Sequence, residues 1–338
     1  MRIIFLIGRW LAVLGLGWAL PVPGADVSFF GIAKLQQFLQ TNAGSVVSLP
    51  SNAYAFASFV APSAGFAVTN ATVQPGAGTV RTLLLETNSG ALLGYTNYFA
   101  SQSALDSAFP TASGGAVTYS VTMYTLHDGI KSGGLSFYLL APFLQISYPP
   151  TPKLANFTNA QAIDTTRDFT LQWNSLSGSV TSIVEVIVSD AAGNVVTNSP
   201  LPGQPGGLDQ TSTNFTLAAD SLPPGTNLTA HVLVANPGLP NTSSYAGAVG
   251  IPVLVKDTLF PLTTRPGPMR PRLAILPSPA GEISISFPSE LLQSYQLQAT
   301  ADWATWDTLL TTNGTGAGIT LTVPAALAHR FYRIAVGP

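Results

Sequence analysis

The chain has 338 residues, of which 31 are glycine, 27 are proline, none is cysteine and only 8% are charged. So little Glu, Lys and Arg argues against a helical enzyme and for an all-β chain, and at about 100 to 150 residues per domain the length suggests two or three. With 13 basic against 15 acidic residues and no run of like charge, nucleic acid is disfavoured as a partner, and the missing thiols exclude disulfides and thiolate metal sites.

Residues 1–25 read as a signal peptide. Arg2 and Arg9 precede the apolar run from Trp10 to Leu20, then Pro21 and small residues follow, so cleavage is expected after Gly24 or Ala25. The run is too short to span a bilayer, and no later stretch is long and apolar enough to do so. Export without disulfides fits a Gram-negative bacterium.

Residues 26–148 form the first expected domain, with short apolar or alternating runs at Val46 to Leu49, Tyr54 to Val60, Val68 to Val73, Val80 to Glu86, Val117 to Leu126 and Leu135 to Ile146. Turn-bounded runs of that spacing indicate a β-sandwich or barrel. Phe29 to Gln40 reads as strand rather than helix. Ser101 to Pro110 is the exception: a serine cap, then Ala104, Leu105, Ala108 and Phe109 at helical spacing, closed by a proline, give one short helix.

Pro149, Pro150 and Pro152 mark a stiff boundary before a second expected domain, 153–255. Phe169, Leu171 and Trp173 alternate as a strand that places Trp173 in an inter-sheet core. Asp190 and Gly193 make a hairpin turn, and Tyr245 to Leu254 is expected to close the sheet. In Leu222 to Asn236, a Pro-Pro-Gly turn feeds a strand with Leu228, Ala230, Val232 and Val234 on one face. This stretch resembles the corner between the fifth and sixth strands of fibronectin type III and immunoglobulin-like domains. Leu228 stands where their tyrosine sits, so that hydroxyl-to-backbone bond is missing. A Pro-rich linker is expected over 256–271 and a last β-sandwich module over 272–338, with six strand-length runs from Leu273 to Val336. The fold class is therefore all-β: three sandwich-like modules in tandem with one short helix in the first.

The last module resembles small sandwich modules of uncharacterised exported proteins from verrucomicrobial and planctomycete-like bacteria. Tyr295, Leu297, Gln298, Asp302, Trp306, Phe331, Tyr332 and Arg333 match that pattern, and Trp303 departs from it. ALDSAFP in the first domain and ANFTNAQAID and DFTLQWN in the middle one are also similar to segments of such proteins. The resemblance implies secretion and fold and lends no activity.

Motifs for hydrolases, P-loops, zinc proteases and EF-hands are absent, so no catalytic residue, metal site or cofactor is assigned. His127, His231 and His329 are far apart. A glycosidase needs two facing carboxylates, and the first domain offers only Glu86, Asp106 and Asp128, the last in an HDG turn where aspartates ordinarily bond their own backbone. Aromatic side chains are the better lead, because sugar rings stack on exposed Trp and Tyr. Tyr95, Tyr98 and Phe99 crowd one stretch of the first domain, and Trp303 and Trp306 flank a turn in the last. Trp306 matches a position that packs in the core; Trp303 is the better candidate for exposure. Arg265, Arg270 and Arg272 make the second linker basic, a solvated charge by default and otherwise a contact for an anionic polymer. The expectation is an exported cell-surface or extracellular binding or scaffold protein whose partner is polysaccharide or an envelope protein, acting without a cofactor. A glycan-active enzyme domain over 27–148 and a subunit of an extracellular fibre are the alternatives.

Overall fold

The computed structural model describes residues 25–49, 51–63, 68–86, 92–111, 117–140, 144–176, 182–266, 273–278, 281–291, 293–324 and 331–336. Residues 1–24 of the expected signal peptide therefore lie outside the described residues. The chain divides into two compact units, one ending at Arg265 and the other beginning at Pro266.

The first unit begins with β1 (Val27–Leu39), β2 (Val47–Ser48), β3 (Tyr54–Pro62), β4 (Val68–Pro75), β5 (Arg81–Glu86) and β6 (Leu92–Phe99). Helix α1 (Gln102–Ala108) follows, then β7 (Tyr119–Thr125), β8 (Ile130–Leu135), β9 (Tyr138–Leu140) and β10 (Leu144–Gln145). Next come β11 (Phe169–Gln172), β12 (Ile183–Ser189), β13 (Val195–Asn198), β14 (Leu208–Asp209), β15 (Asn214–Leu217), β16 (Asn227–Pro237) and β17 (Val249–Thr263). Thirteen of these seventeen strands share one sheet with the path β13-β12-β16-β17-β1-β3-β6-β5-β4-β7-β8, off which β14 pairs with β12 and β2 with β1.

The joint in that path is a parallel ladder in which Phe29 to Leu39 of β1 run alongside Val249 to Leu259 of β17. It carries the sheet across the boundary expected at Pro149 to Pro152, so the first two expected domains share one unit. It also corrects the expected linker: residues 256–263 are strand, and irregular chain starts only at Arg265. The proline of β17 that suggested a break, Pro261, is accommodated by position: it lies beyond the last β1 pair at Leu259, where only β16 remains. It therefore has one side without a ladder partner, where a missing N–H costs least.

Two cores lie against this sheet. In the first, β7 and β8 fold back over β1, and Phe30, Phe56, Phe109, Tyr119 and Phe137 fill the space. Phe56 stacks on Phe109 at 3.9 Å and on Tyr119 at 5.5 Å. The Phe30 ring is clasped by Gly133 and Gly250, where a Cβ would come within 2.3 and 2.4 Å of it. In the second core β11 and β15 pair with each other and cover β12, β16 and β17, burying Trp173, Leu217, Leu228, Val232 and Phe260. Trp173 sits in that core as its alternation indicates, and its indole N–H donates to the Ser212 carbonyl at 2.9 Å. Asp190 and Gly193 make the expected turn between β12 and β13, with Gly193 at φ +85°. The expected closing strand starts later, at Val249, and Tyr245 instead packs into the first core.

α1 forms where its cap and closing proline indicate. Ser101 accepts the Ala104 N–H at 3.1 Å, and the Phe109 N–H closes onto the Leu105 carbonyl. Its Asp106 holds Lys34, a β1 lysine with no exposed side-chain surface, at 2.5 Å. Burial pulls the Lys34 ammonium below its ordinary pKa and the Asp106 contact opposes this, so the buried charge is a cost that its partner offsets. Gln102 donates to the other Asp106 oxygen at 2.7 Å and accepts from Gln36 at 2.8 Å.

The second unit is a small sandwich. Sheet β18 (Ala274–Ser278), β19 (Glu282–Pro288), β22 (Gly318–Pro324) faces sheet β21 (Asp307–Asn313), β20 (Ser294–Thr300), β23 (Phe331–Val336), which matches the six expected runs. Its buried centres are small: Ile285, Leu297 and Val323 in one, Phe287, Tyr295 and Ile319 in the other.

The Lys34 pair gives a test of the first core. Asp106→Ala strands a buried ammonium and should cost about 3 kcal/mol in urea unfolding, the lower end of the range for a broken buried pair because Asp106 is partly exposed. Lys34→Met removes the charge and should cost under about 1 kcal/mol. Equal losses for the two would mean that the stranded charge is not the source of the effect.

Candidate functional site

The aromatic residues singled out in the first unit are structural. Tyr95 and Phe99 pack against Phe109 in the first core, and Tyr98 packs on the opposite face of the sheet. The sequence pattern there conceals a strand, β6, whose alternation sends these rings to both faces.

The acids and histidines are drawn into structural contacts as well. Asp106 is committed to Lys34 and Gln102. At the start of β1, Asp26 accepts from the His127 and Asp128 backbone N–H groups at 2.7 and 3.2 Å and pairs with His127 Nδ1 at 2.8 Å. Asp128 accepts the Asp26 N–H at 2.8 Å and the Tyr245 hydroxyl. The His127 side-chain bond, reinforced by backbone donors, lowers the Asp26 carboxyl to about 2, and the same carboxylate raises His127. This knot ties the HDG turn to β1 and to Tyr245. His231 contacts Asp257 at 3.1 Å. Among the described residues no cluster of three or more His, Asp or Glu is arranged to hold a metal ion. His329, Arg270, Arg272 and the Glu86 side chain lie outside the described part.

The second unit presents an aromatic group on its surface. Trp303 is 62% exposed, its ring is 4.1 Å from that of Phe331, which is also exposed, and it meets Trp306 edge-on at 6.0 Å. Trp306 is half-buried and belongs to neither buried centre of the unit, which differs from the core position its match indicates. Its ring is covered instead by the Arg333 guanidinium at 4.1 Å, a cation–π contact, and Arg333 Nε donates to Gln298 at 2.8 Å. Sequence reasoning named the two tryptophans but missed Phe331 and Arg333 as their neighbours, although both stand in the terminal F-Y-R strand. The strand pairing β21-β20-β23 brings them beside the Trp303 turn.

That turn is built by Thr300 and Asp302. The Thr300 hydroxyl accepts from the Trp303 and Asp302 N–H groups and donates to the Asp302 carboxylate at 2.8 Å. Asp302 Oδ1 accepts from the backbone N–H groups of Ala304 and Thr305 at 2.9 and 3.0 Å. The Thr305 N–H, then the Thr300 hydroxyl and the Ala304 N–H, hold the Asp302 carboxyl well below the ordinary carboxylate range. Trp303 itself takes φ +63°, the left-handed region that a bulky residue rarely occupies. The turn thus holds a large ring out of the sandwich at some backbone cost.

No family model matches the chain, and no curated protein matches it. Among solved structures, a bacterial ice-binding adhesin is similar at 12% identity and TM-score 0.24, over 90% of this chain and 85% of that one. A two-domain fibronectin type III segment of chicken tenascin is similar at 14% identity and TM-score 0.24, over 56% of this chain and 99% of that one. A domain of a biofilm-associated protein is similar at 9% identity and TM-score 0.21, over 94% of this chain and 64% of that one. Superpositions this loose place no residue, and the fold stands on the strand connectivity described above.

Proposed function

We propose that the protein is an exported binding and scaffold protein of the cell surface or extracellular space, and that its C-terminal unit holds polysaccharide on Trp303, Trp306 and Phe331. The observation that carries this reading is Trp303, a mostly exposed tryptophan kept in a strained conformation by a dedicated turn. A side chain that served only packing would relax inward. Sugar rings present apolar C–H faces that stack on such a ring, and Arg333, over the neighbouring Trp306, and its partner Gln298 supply polar groups for hydroxyls. Residues 1–25 act in this reading as the export signal. No helix among the described residues is long and apolar enough to cross a membrane. The two units divide the labour: the large sheet is scaffold and the small sandwich carries the contact surface.

The first test is retention of the processed chain on a panel of insoluble polysaccharides beside Trp303→Ala. Retention on one glycan should fall about tenfold with the substitution, the weight of one lost stacking contact. Unchanged retention would move the contact elsewhere, and no retention on any glycan would sink the polysaccharide reading. Stability should also depend on pH with a definite sign. The folded pKa of Asp302 is depressed, so the turn's support is complete above the ordinary value of about 3.9 and is lost as pH falls through the lower folded value. Urea unfolding should therefore show the second unit losing stability in acid below about pH 4, while Asp302→Asn should be less stable at neutral pH and lose that acid dependence.

A further inference from the structure

One face of Trp306 is closed to a sugar, because the Arg333 guanidinium lies over that ring at 4.1 Å. Stacking therefore falls first to Trp303 and Phe331, and Trp306 presents a cation beside them. That cation is exposed yet held in place. Its Nε donates to Gln298 Oε1 at 2.8 Å, and the Gln298 amide is itself oriented by donating to Gln296 Oε1 at 3.1 Å and to the Thr308 hydroxyl at 3.2 Å. Strand register explains the assembly. Arg333, Gln298 and Thr308 stand in one row across β23, β20 and β21, on the face opposite the buried Leu297 and Ala299.

A guanidinium fixed in this way ordinarily has an acid for its partner. Residues 266–338 contain four acids, Glu282, Glu290, Asp302 and Asp307, all of them described, and none forms an ion pair with Arg333. The Asp302 carboxylate is taken up within its turn, by the Ala304 and Thr305 N–H groups and the Thr300 hydroxyl. Asp307 shares a row with Ala299 and Tyr332, on the other face of the sheet from Arg333. With Nε bound to Gln298, the outer edge of the guanidinium is Nη1 and Nη2, whose parallel N–H groups match the two oxygens of a planar carboxylate. Among the described residues nothing accepts from that edge. Most exposed ion pairs contribute little because two long side chains must be ordered to form them. Here the arginine is ordered already, so a ligand carboxylate meets a prepared fork.

We infer that the polysaccharide is acidic: a uronate-bearing chain stacks one sugar ring on Trp303 and Phe331 and sets a carboxylate of the adjoining unit on the Nη edge of Arg333. This rests on the glycan reading of the C-terminal unit and narrows it from polysaccharide in general to polymers of uronic acids. The edge-on contact between Trp303 and Trp306 sets the spacing, since it puts the ring that carries the guanidinium next to the stacking platform.

Beads carrying polygalacturonate, and the same beads after methyl esterification, present one sugar chain with and without its charge. The processed chain should be retained about tenfold more strongly on the charged beads, and this preference should shrink as sodium chloride is raised to about 1 M. Arg333→Gln should bring the ratio of charged to esterified retention down to about one. Arg333→Lys keeps the charge but loses the fork, and should restore only part of the preference. If Arg333 served solely to steady Trp306, Arg333→Gln would lower retention on both beads alike and keep their ratio, which would overturn the inference. Equal retention of the unaltered chain on the two beads would do the same. Stronger retention on dextran sulfate beads than on polygalacturonate would give the guanidinium to sulfate and end the uronate assignment. The two readings fail separately. A neutral glycan held through Trp303 and indifferent to Arg333→Gln would remove the uronate and keep the stacking site, whereas no Trp303-dependent retention on any glycan would remove both.

Discussion

The parallel ladder between β1 and β17 is the constraint on which the larger unit depends. It joins residues more than 200 positions apart, from Phe29 with Val249 to Leu39 with Leu259. Such a contact must overcome the closure entropy of the whole intervening chain before it returns any stability. Its reward is that two sandwiches share a continuous sheet, with Phe30 in one core, Phe260 in the other, and β1 and β17 adjacent between them. The ladder also accounts for the composition of its strands. A strand covered on both faces has no reason to alternate, and VGIPVLV in β17 and FFGIA in β1 are apolar on both sides.

Polar groups that enter so buried a sheet must bring partners. Lys34 reaches Asp106 on α1, and this is what the short helix does for the sheet: it carries the counter-charge and Gln102 to it. Asp257 is met by Gln37 from β1 and His231 from β16, one from each neighbouring strand. Asp26, at the start of β1, is fixed by the turn between β7 and β8. All but the His231–Asp257 contact cross between elements distant in sequence, and together they lock the register that the apolar contacts alone would leave free to slide.

What could be read from the sequence follows the range of the interactions involved. The all-β class, α1, the β12–β13 turn, Trp173 in its core and the six strands of the second unit were legible because each is set by local pattern: a cap, a turn glycine or a period of two. The β1–β17 ladder was not, because parallel pairing leaves no turn between its partners to announce it. Pro261 actively misled, since a proline reads as a break unless one knows that the strand lacks a neighbour on one side there. β6 was concealed by its aromatic residues, which looked like a surface cluster and prove to be distributed over two faces of the sheet. In the aromatic group, Trp303 was legible as a departure from a pattern. Phe331 and Arg333 were not, because they reach it through strand pairing rather than through sequence proximity.

The two units differ in what they can spare. The larger one has extensive cores, and a strained residue there would be a small fraction of its stability. The second unit has two buried centres of three residues each, and a sandwich that small stands close to its stability threshold. Yet it is this unit that holds Trp303 at positive φ with its ring largely in water and invests Thr300 and Asp302 in keeping it there. A marginal domain gains nothing in stability from such an arrangement. Strain retained where it is least easily borne is the physical ground for treating the Trp303 turn as a contact surface, and the edge-on Trp306 and the guanidinium laid over it as the parts that fix that surface in place.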